Sequence, residues 1–281
     1  MKKPTIKELV DEDLITPPAD VIHASYQTVH GSHAYGVSTD DSDVDILGFC
    51  VPPMPQIFPH LRGEIKDFGK QKQGFEQYSQ HHIDRGGQSI DVTIYNIVKF
   101  FNLAMDNNPN VLELLFTPED CVISADSVAK LVRAEASEFL HKGAYFRFRG
   151  FAYSQIHKAR KKVESGDRDK SWVDKKIYHA VRLLLQLEQI LTEKKLDLRA
   201  HTDTLLDIRG GEWTYGEAVN WHEAKEAELE ALYESSGIPH SPDQDRLRDL
   251  LLVCLHEFWD ELPPDLMRFY YPANNYWRGY P

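Results

Sequence analysis

Between His30 and Phe49 the chain reads HGSHAYGVSTDDSDVDILGF. Four aspartates, Asp40, Asp41, Asp43 and Asp45, crowd ahead of an apolar run, and carboxylates that close repel one another. A solvated turn tolerates such crowding. A strand entering a core does so only with positive charge between the carboxylates. Asp43 and Asp45 stand one residue apart at the mouth of that strand, and a period of two sets both side chains on one face, with Val44 and Ile46 on the other. Asp91, flanked by Ile90 and Val92, is likewise set opposite its apolar neighbours in the alternating segment QSIDVTIY. If strand pairing brings Asp91 beside Asp43 and Asp45, the three make an oxygen site for hard cations, Mg²⁺ or Mn²⁺. Three carboxylates can hold two such ions about 3.5–4 Å apart, the arrangement that serves phosphoryl and nucleotidyl transfer. Gly31-Ser32 supplies the complementary part: the glycine lets backbone approach an anion, and the following N–H groups and the Ser hydroxyl donate to phosphate oxygens. Asp40 and Asp41 read as ordinary turn residues of STDDS.

The elements that must position these residues follow from periodicity. Val21 to His30 reads as a strand leading into Gly31, and VDILGFCV as a second, closed by Pro52-Pro53. Met54 to Gly87 is a long connection holding one strand around Phe75 to His82. QSIDVTIY continues into an amphipathic helix, NIVKFFNLAMDN, while VLELLFTPEDCVIS is ambiguous between strand pieces and a short helix. From about Gly143 the pattern is helical almost to the end. SWVDKKIYHAVRLLLQLEQILTEKK has Ser171 as its expected N-cap and an apolar stripe of Val173, Ile177, Ala180, Leu184, Leu187 and Leu191. Thr214 with Glu217 forms a capping box, and Gly237 marks the end of that helix. An α+β half, residues 1–141, is therefore expected before an all-α half, residues 142–281.

The chain has 281 residues, 42% apolar and 27% charged, enough for a sizeable core. No apolar run reaches membrane length and the N-terminus lacks an apolar signal core, so a cytoplasmic protein is expected. Three cysteines, odd in number and far apart, read as buried reduced thiols. A net charge of −12 argues against a duplex-DNA binder. The charge is uneven, though: Lys142 to Arg182 holds twelve Lys/Arg against four Asp/Glu, a net of +8, leaving −20 on the rest. This island is either a solvated helix surface or a site for a polyanion, a triphosphate or a nucleic-acid strand. On its second helix Lys175, Tyr178, His179 and Arg182 share a face off the apolar stripe; on the preceding one Tyr153, His157, Arg160 and Lys161 cluster, with Lys158 nearby. His81-His82 with Asp84 does not fit a structural zinc, HEAKE and HEFWD each lack a second metal-binding His, and the aromatic tail RFYYPANNYWRGYP is expected to pack on the helices.

GSHAYGVSTDDSDVDILGF resembles the G-S…D-S-D-x-D signature of the polymerase-β-type nucleotidyltransferases. It is most similar to the RNA-repair-associated members of that superfamily, the RlaP/YcgL type, which typically read G-S-x-A-Y-G and S-D-x-D. The chain keeps Gly31, Ser32, Ala34, Tyr35, Gly36, Ser42, Asp43, Asp45 and Gly48, with His33 where a basic residue is usual. The resemblance implies an α+β fold, a polymerase-β-like mixed sheet with flanking helices followed by an all-α domain. It implies transfer of an NMP from an NTP to an acceptor hydroxyl with two metal ions. Asp43 and Asp45 would bind both metals, Asp91 would join them on the catalytic one, and Ser32 would hold the β/γ-phosphates. In the resembled family the helical domain closes over the nucleotide, which makes Lys158, Lys176, Tyr178, His179 and Arg182 the expected contacts. An RNA 3′ end is the favoured acceptor. A protein hydroxyl, as in antitoxin-like AMP transferases, a small-molecule hydroxyl, and a non-catalytic NTP- or partner-binding module of the same fold are the alternatives.

Overall fold

A computed structural model describes residues 3–40, 42–70, 74–166 and 169–260. Thr5 and Glu8 close a capping box on α1 (Ile6–Asp11). Pro18 then starts a short α2 (Ala19–Ile22), so the strand expected from Val21 is confined to β1 (Tyr26–Val29). The correction follows from Pro17-Pro18, whose fixed φ suits a helix start. β2 (Val44–Cys50) and a short α3 (Met54–Ile57) follow. β3 (Gln77–Arg85) and β4 (Gln88–Asn96) form a hairpin. Asn96 caps α4 (Ile97–Met105), and Asn108 with Pro109 starts α5 (Pro109–Leu115). The ambiguous stretch thus divides into α5 and β5 (Val122–Ala125), before α6 (Ser127–Ala134). The rest is helical: α7 (Gly143–Glu164), α8 (Lys170–Glu193), α9 (Thr202–Gly210), α10 (Tyr215–Ser235) and α11 (Gln244–Asp260). Asp169 rather than Ser171 caps α8, accepting from the Trp172 N–H. The Thr214–Glu217 capping box on α10 is as expected.

The five strands are ordered β3-β4-β2-β1-β5, with β2 and β4 parallel and every other pair antiparallel. Alternation gives the sheet two apolar faces. Val44, Ile46, Cys50, Ile90, Val92 and Ile94 pack with Ile6, Leu9 and Val21 of α1 and α2. Leu47, Phe49 and Tyr95 face the other way, into a core that runs through Phe100, Phe139 and Phe148 to Ile177 and Leu184. That second core crosses residue 142 without a break, so the two halves of the chain share it. Gly48 is dictated by the sheet itself: a Cβ there would lie 1.8 Å from the Tyr26 carbonyl oxygen on β1. Cys50, Cys121 and Cys254 are buried free thiols, as expected. Among the described residues no helix is long and apolar enough to cross a membrane. The aromatic tail lies outside the described residues, as does Asp41.

Candidate functional site

The parallel pairing of β2 with β4 sets Asp45 directly opposite Asp91, on strands about 4.8 Å apart. Both lie on the face that carries Leu47, Phe49 and Tyr95, turned toward the helical half. Asp43 is exposed and stands just outside the ladder, which begins with Val44 opposite Ile90. It still acts on Asp45: burial raises the Asp45 pKa above the usual carboxylate range, and the charges of Asp91 and Asp43 add to that against His30 and Lys175. Three carboxylates therefore share one field. Among the described residues no group of three or more His, Cys, Asp or Glu is drawn together as a metal site; Asp45 and Asp91 are the aligned pair, and their oxygens are the donor type a hard dication takes.

Asp91 is held differently. The β3–β4 register shifts between Gln80 and Ile83, and His82 in this bulge adopts φ +56°. The His82 N–H donates to Asp91 Oδ1 at 2.7 Å, and His81 Nδ1 lies 3.1 Å from Asp91 Oδ2. Burial works against the Asp91 charge, but these contacts outweigh it and hold the carboxyl below its ordinary range. The sequence showed His81-His82 only as a poor zinc candidate; that a bulge aims both at Asp91 has no local signature.

Gly31 caps the pair. Its φ is +63°, and a Cβ there would fall 2.3 Å from Asp45 Oδ2, so only glycine allows this approach. The His30 N–H donates to the Asp45 carbonyl at 2.8 Å. No regular helix follows Gly31. Residues 31–37 instead wind into a compact turn closed by the Tyr35 N–H to the Gly31 carbonyl and the Val37 N–H to the Ser32 carbonyl. The helical half braces that turn from outside. Arg199 Nε donates to the Ala34 carbonyl at 3.3 Å, the Thr202 hydroxyl to Tyr35 at 2.9 Å and Arg209 Nη1 to Val37 at 2.6 Å. Sequence reasoning missed all three, since their partners lie more than 160 residues away.

The five helical residues expected at the nucleotide divide into two groups. Lys158 is exposed and Lys176 half-buried, and neither has an acidic partner among the described residues. Burial and the charges of Lys158 and Lys175 lower the Lys176 pKa, so three lysines crowd one another. Lys175 also lies in the field of Asp45. His179 is half-buried beside them; burial, then Lys176, Lys175 and Arg209, push its pKa down to about 3. Tyr178 is 3% exposed, and its hydroxyl has no hydrogen-bond partner among the described residues. Arg209 and Asp45 are the charges that act on that hydroxyl.

Arg182 is a correction. It is buried rather than exposed, bonded to Glu113 of α5 and, at 3.1 Å, to Gln186. Its guanidinium lies 4.3 Å from the centre of the Tyr35 ring. Glu113 also accepts from the Tyr35 hydroxyl and sits 3.0 Å from His30 Nε2. Burial and Arg182 hold His30 neutral, with its pKa pushed down to about 4. Arg182 thus anchors the residues on either side of Gly31-Ser32 from within and does not stand open to a ligand.

A mixed sheet whose aligned carboxylates lie under a glycine turn, followed by a helical region, is a polymerase-β-like nucleotidyltransferase fold. Over residues 7–253 the chain matches the family described as RlaP, RNA repair pathway DNA polymerase beta family, and belongs to it. It is 36% identical over 111 residues to an uncharacterized 38.9 kDa protein in the nrdC-mobD intergenic region of Enterobacteria phage T4; the match covers 39% of this chain and 31% of that protein. A nucleotidyltransferase-like protein from Exiguobacterium sibiricum 255-15 is similar at a TM-score of 0.30 and 13% identity, over 82% of this chain and 74% of that one.

Proposed function

We propose that this protein is a nucleotidyltransferase that moves an NMP from an NTP to an acceptor hydroxyl, with an RNA 3′ end as the favoured acceptor. The observation that carries the reading is one juxtaposition: Asp45 aligned with Asp91 and pressed by Gly31, in the field of Lys175, whose cluster with Lys176 and Lys158 has no acidic partner among the described residues. A triphosphate would offset those charges, with N–H groups of the Gly31-Ser32 turn on its β/γ-phosphates. Lys175, Lys176 and Lys158 would neutralise it as point charges, and the unpartnered Tyr178 hydroxyl would donate to it. Asp45, Asp91 and Asp43 would hold Mg²⁺ or Mn²⁺, which when bound supplies charge stabilisation on the phosphate and acidifies the attacking hydroxyl. The acceptor oxygen bonds to the α-phosphorus, the bond to the bridging oxygen breaks, and pyrophosphate leaves. Asp91, held below its ordinary pKa, suits a permanent charge. Asp45 would serve beside it as a ligand, and the proton of the acidified hydroxyl would pass to water. The RNA acceptor is supported by the family's description and by the basic island.

The test is incubation with each α-labelled NTP, Mg²⁺ and an oligoribonucleotide ending in a free 3′ hydroxyl. Labelled RNA is expected, with Asp45→Asn and Asp91→Asn each at least about a hundredfold slower. Full transfer by the double variant would overturn the site; label on protein instead of RNA would overturn the acceptor.

A further inference from the structure

Of the outer face of α7, only Lys158 and the net charge of the basic island enter the proposed function. Its buried stripe is Phe148, Ala152, Ile156 and Ala159. On the opposite side Phe146, Gly150, Tyr153, His157 and Lys161 recur at spacings of three and four, so they form one stripe. Phe146 is 64% and Tyr153 60% exposed. The rings nonetheless have aromatic neighbours. Phe146 packs edge-on against Tyr233, and the Tyr153 and His157 rings lie within 7° of parallel, 5.9 Å apart.

Gly150 is the telling residue. A glycine inside a helix costs stability relative to alanine, and here a Cβ would meet nothing within 4 Å. Packing does not require it. Its effect is a flat gap between Phe146 one turn before and Tyr153 one turn after. From Phe146 to His157 the helix rises about 16 Å, room for several stacked nucleotides. Lys158 and Lys161 flank the far end and have no acidic partner among the described residues. Lys158 also lies in the field of Lys176, so the stripe leads to the lysines opposite Asp45. Arg147 at the near end is paired with Asp106, and Glu164 terminates the stripe.

We propose that this face binds single-stranded RNA, with bases stacking on Phe146 and on the Tyr153–His157 pair, one base seated over Gly150, and phosphates along Lys158 and Lys161. Exposed rings leading to lysines are what a single strand needs, because every base has a face to stack. Charge complementarity points the same way, since the segment from Lys142 to Arg182 carries +8 in a chain of −12. That the strand's end is the acceptor rests on the proposed function; that the face binds RNA does not.

The test is fluorescence anisotropy of a labelled single-stranded RNA of about twelve nucleotides, at low salt and without NTP, on the full chain. Tyr153→Ala is expected to weaken binding about tenfold, within the range for one lost stack. Gly150→Gln is expected to weaken it several-fold while the melting temperature holds or rises, because the substitution favours the helix and fills the gap. A duplex of the same length is expected to bind more weakly than the single strand. RNA binding by the parent chain without NMP transfer would fault the proposed function and leave this inference standing. Unchanged affinity in both α7 variants, a duplex bound as tightly as the single strand, or no binding by the parent chain would each overturn it.

Discussion

Arg182 distinguishes a residue that meets a ligand from one that holds the site together. Arg182→Met keeps much of the side-chain length and removes the charge. Glu113, fully buried, would then keep only the Tyr35 hydroxyl and neutral His30 as partners. Stranding one member of a buried ion pair costs about 3–5 kcal/mol, against a whole-domain stability of about 5–15 kcal/mol. At about 2–4 °C per kcal/mol for a chain of this size class, the melting temperature should fall by about 6–20 °C. Urea unfolding followed by tryptophan fluorescence would measure the loss, with thermal scanning as a check. Adding Glu113→Gln removes the stranded charge and retains an acceptor for Tyr35, so the double variant should recover at least about 1 kcal/mol relative to additivity. Arg182→Met within about 0.5 kcal/mol of the parent, combined with a tenfold loss of NTP affinity, would refute the reasoning and place Arg182 on the nucleotide.

Asp45→Asn should stabilise the chain at neutral pH in the absence of dications, by about 0.5–2 kcal/mol, the usual gain on relieving a functional-site conflict. Burial, with Asp91 and Asp43, raises the folded pKa of Asp45, so its contribution falls as pH rises through that value; the variant's advantage should vanish in acid, where the parent is protonated in both states. Thermal melts with and without Mg²⁺ across pH would show both effects. His81→Ala should lower the NMP-transfer rate about tenfold by releasing one oxygen of Asp91, with the NTP KM little changed. His81→Asn, whose amide can still donate, should retain more, and equal rates in the two variants would remove the positioning role. His179 has its folded pKa pushed down to about 3, mainly by burial, so the unfolded chain takes up its proton first and stability is lost as pH falls from about 6.5 toward 3. His179→Asn should flatten that acid limb in urea titrations at successive pH values.

The alternation of VDILGF and QSIDVTIY was enough to turn Asp45 and Asp91 away from their apolar neighbours, because a strand allows only two faces. The motif around Gly31 likewise carried its own reason, a backbone pressed against a carboxylate. The capping boxes at Thr5 and Thr214 are local chemistry within four residues. What alternation does not specify is which strand pairs with which. The parallel register that aligns Asp45 with Asp91 joins strands separated by a long connection, and only the assembled sheet decides it. Helical periodicity fails in another way at Arg182. A helix wheel ranks the faces of α8 by polarity, but α7, α9 and α10 all pack on that helix, so faces that read as polar are covered too. One signal of the outcome was present in the chain: Glu113 stands inside the apolar run VLELL, and a carboxylate there needs a buried cation. Its partner could not be named from sequence, because 69 residues separate the two and tertiary packing alone brings Arg182 to it.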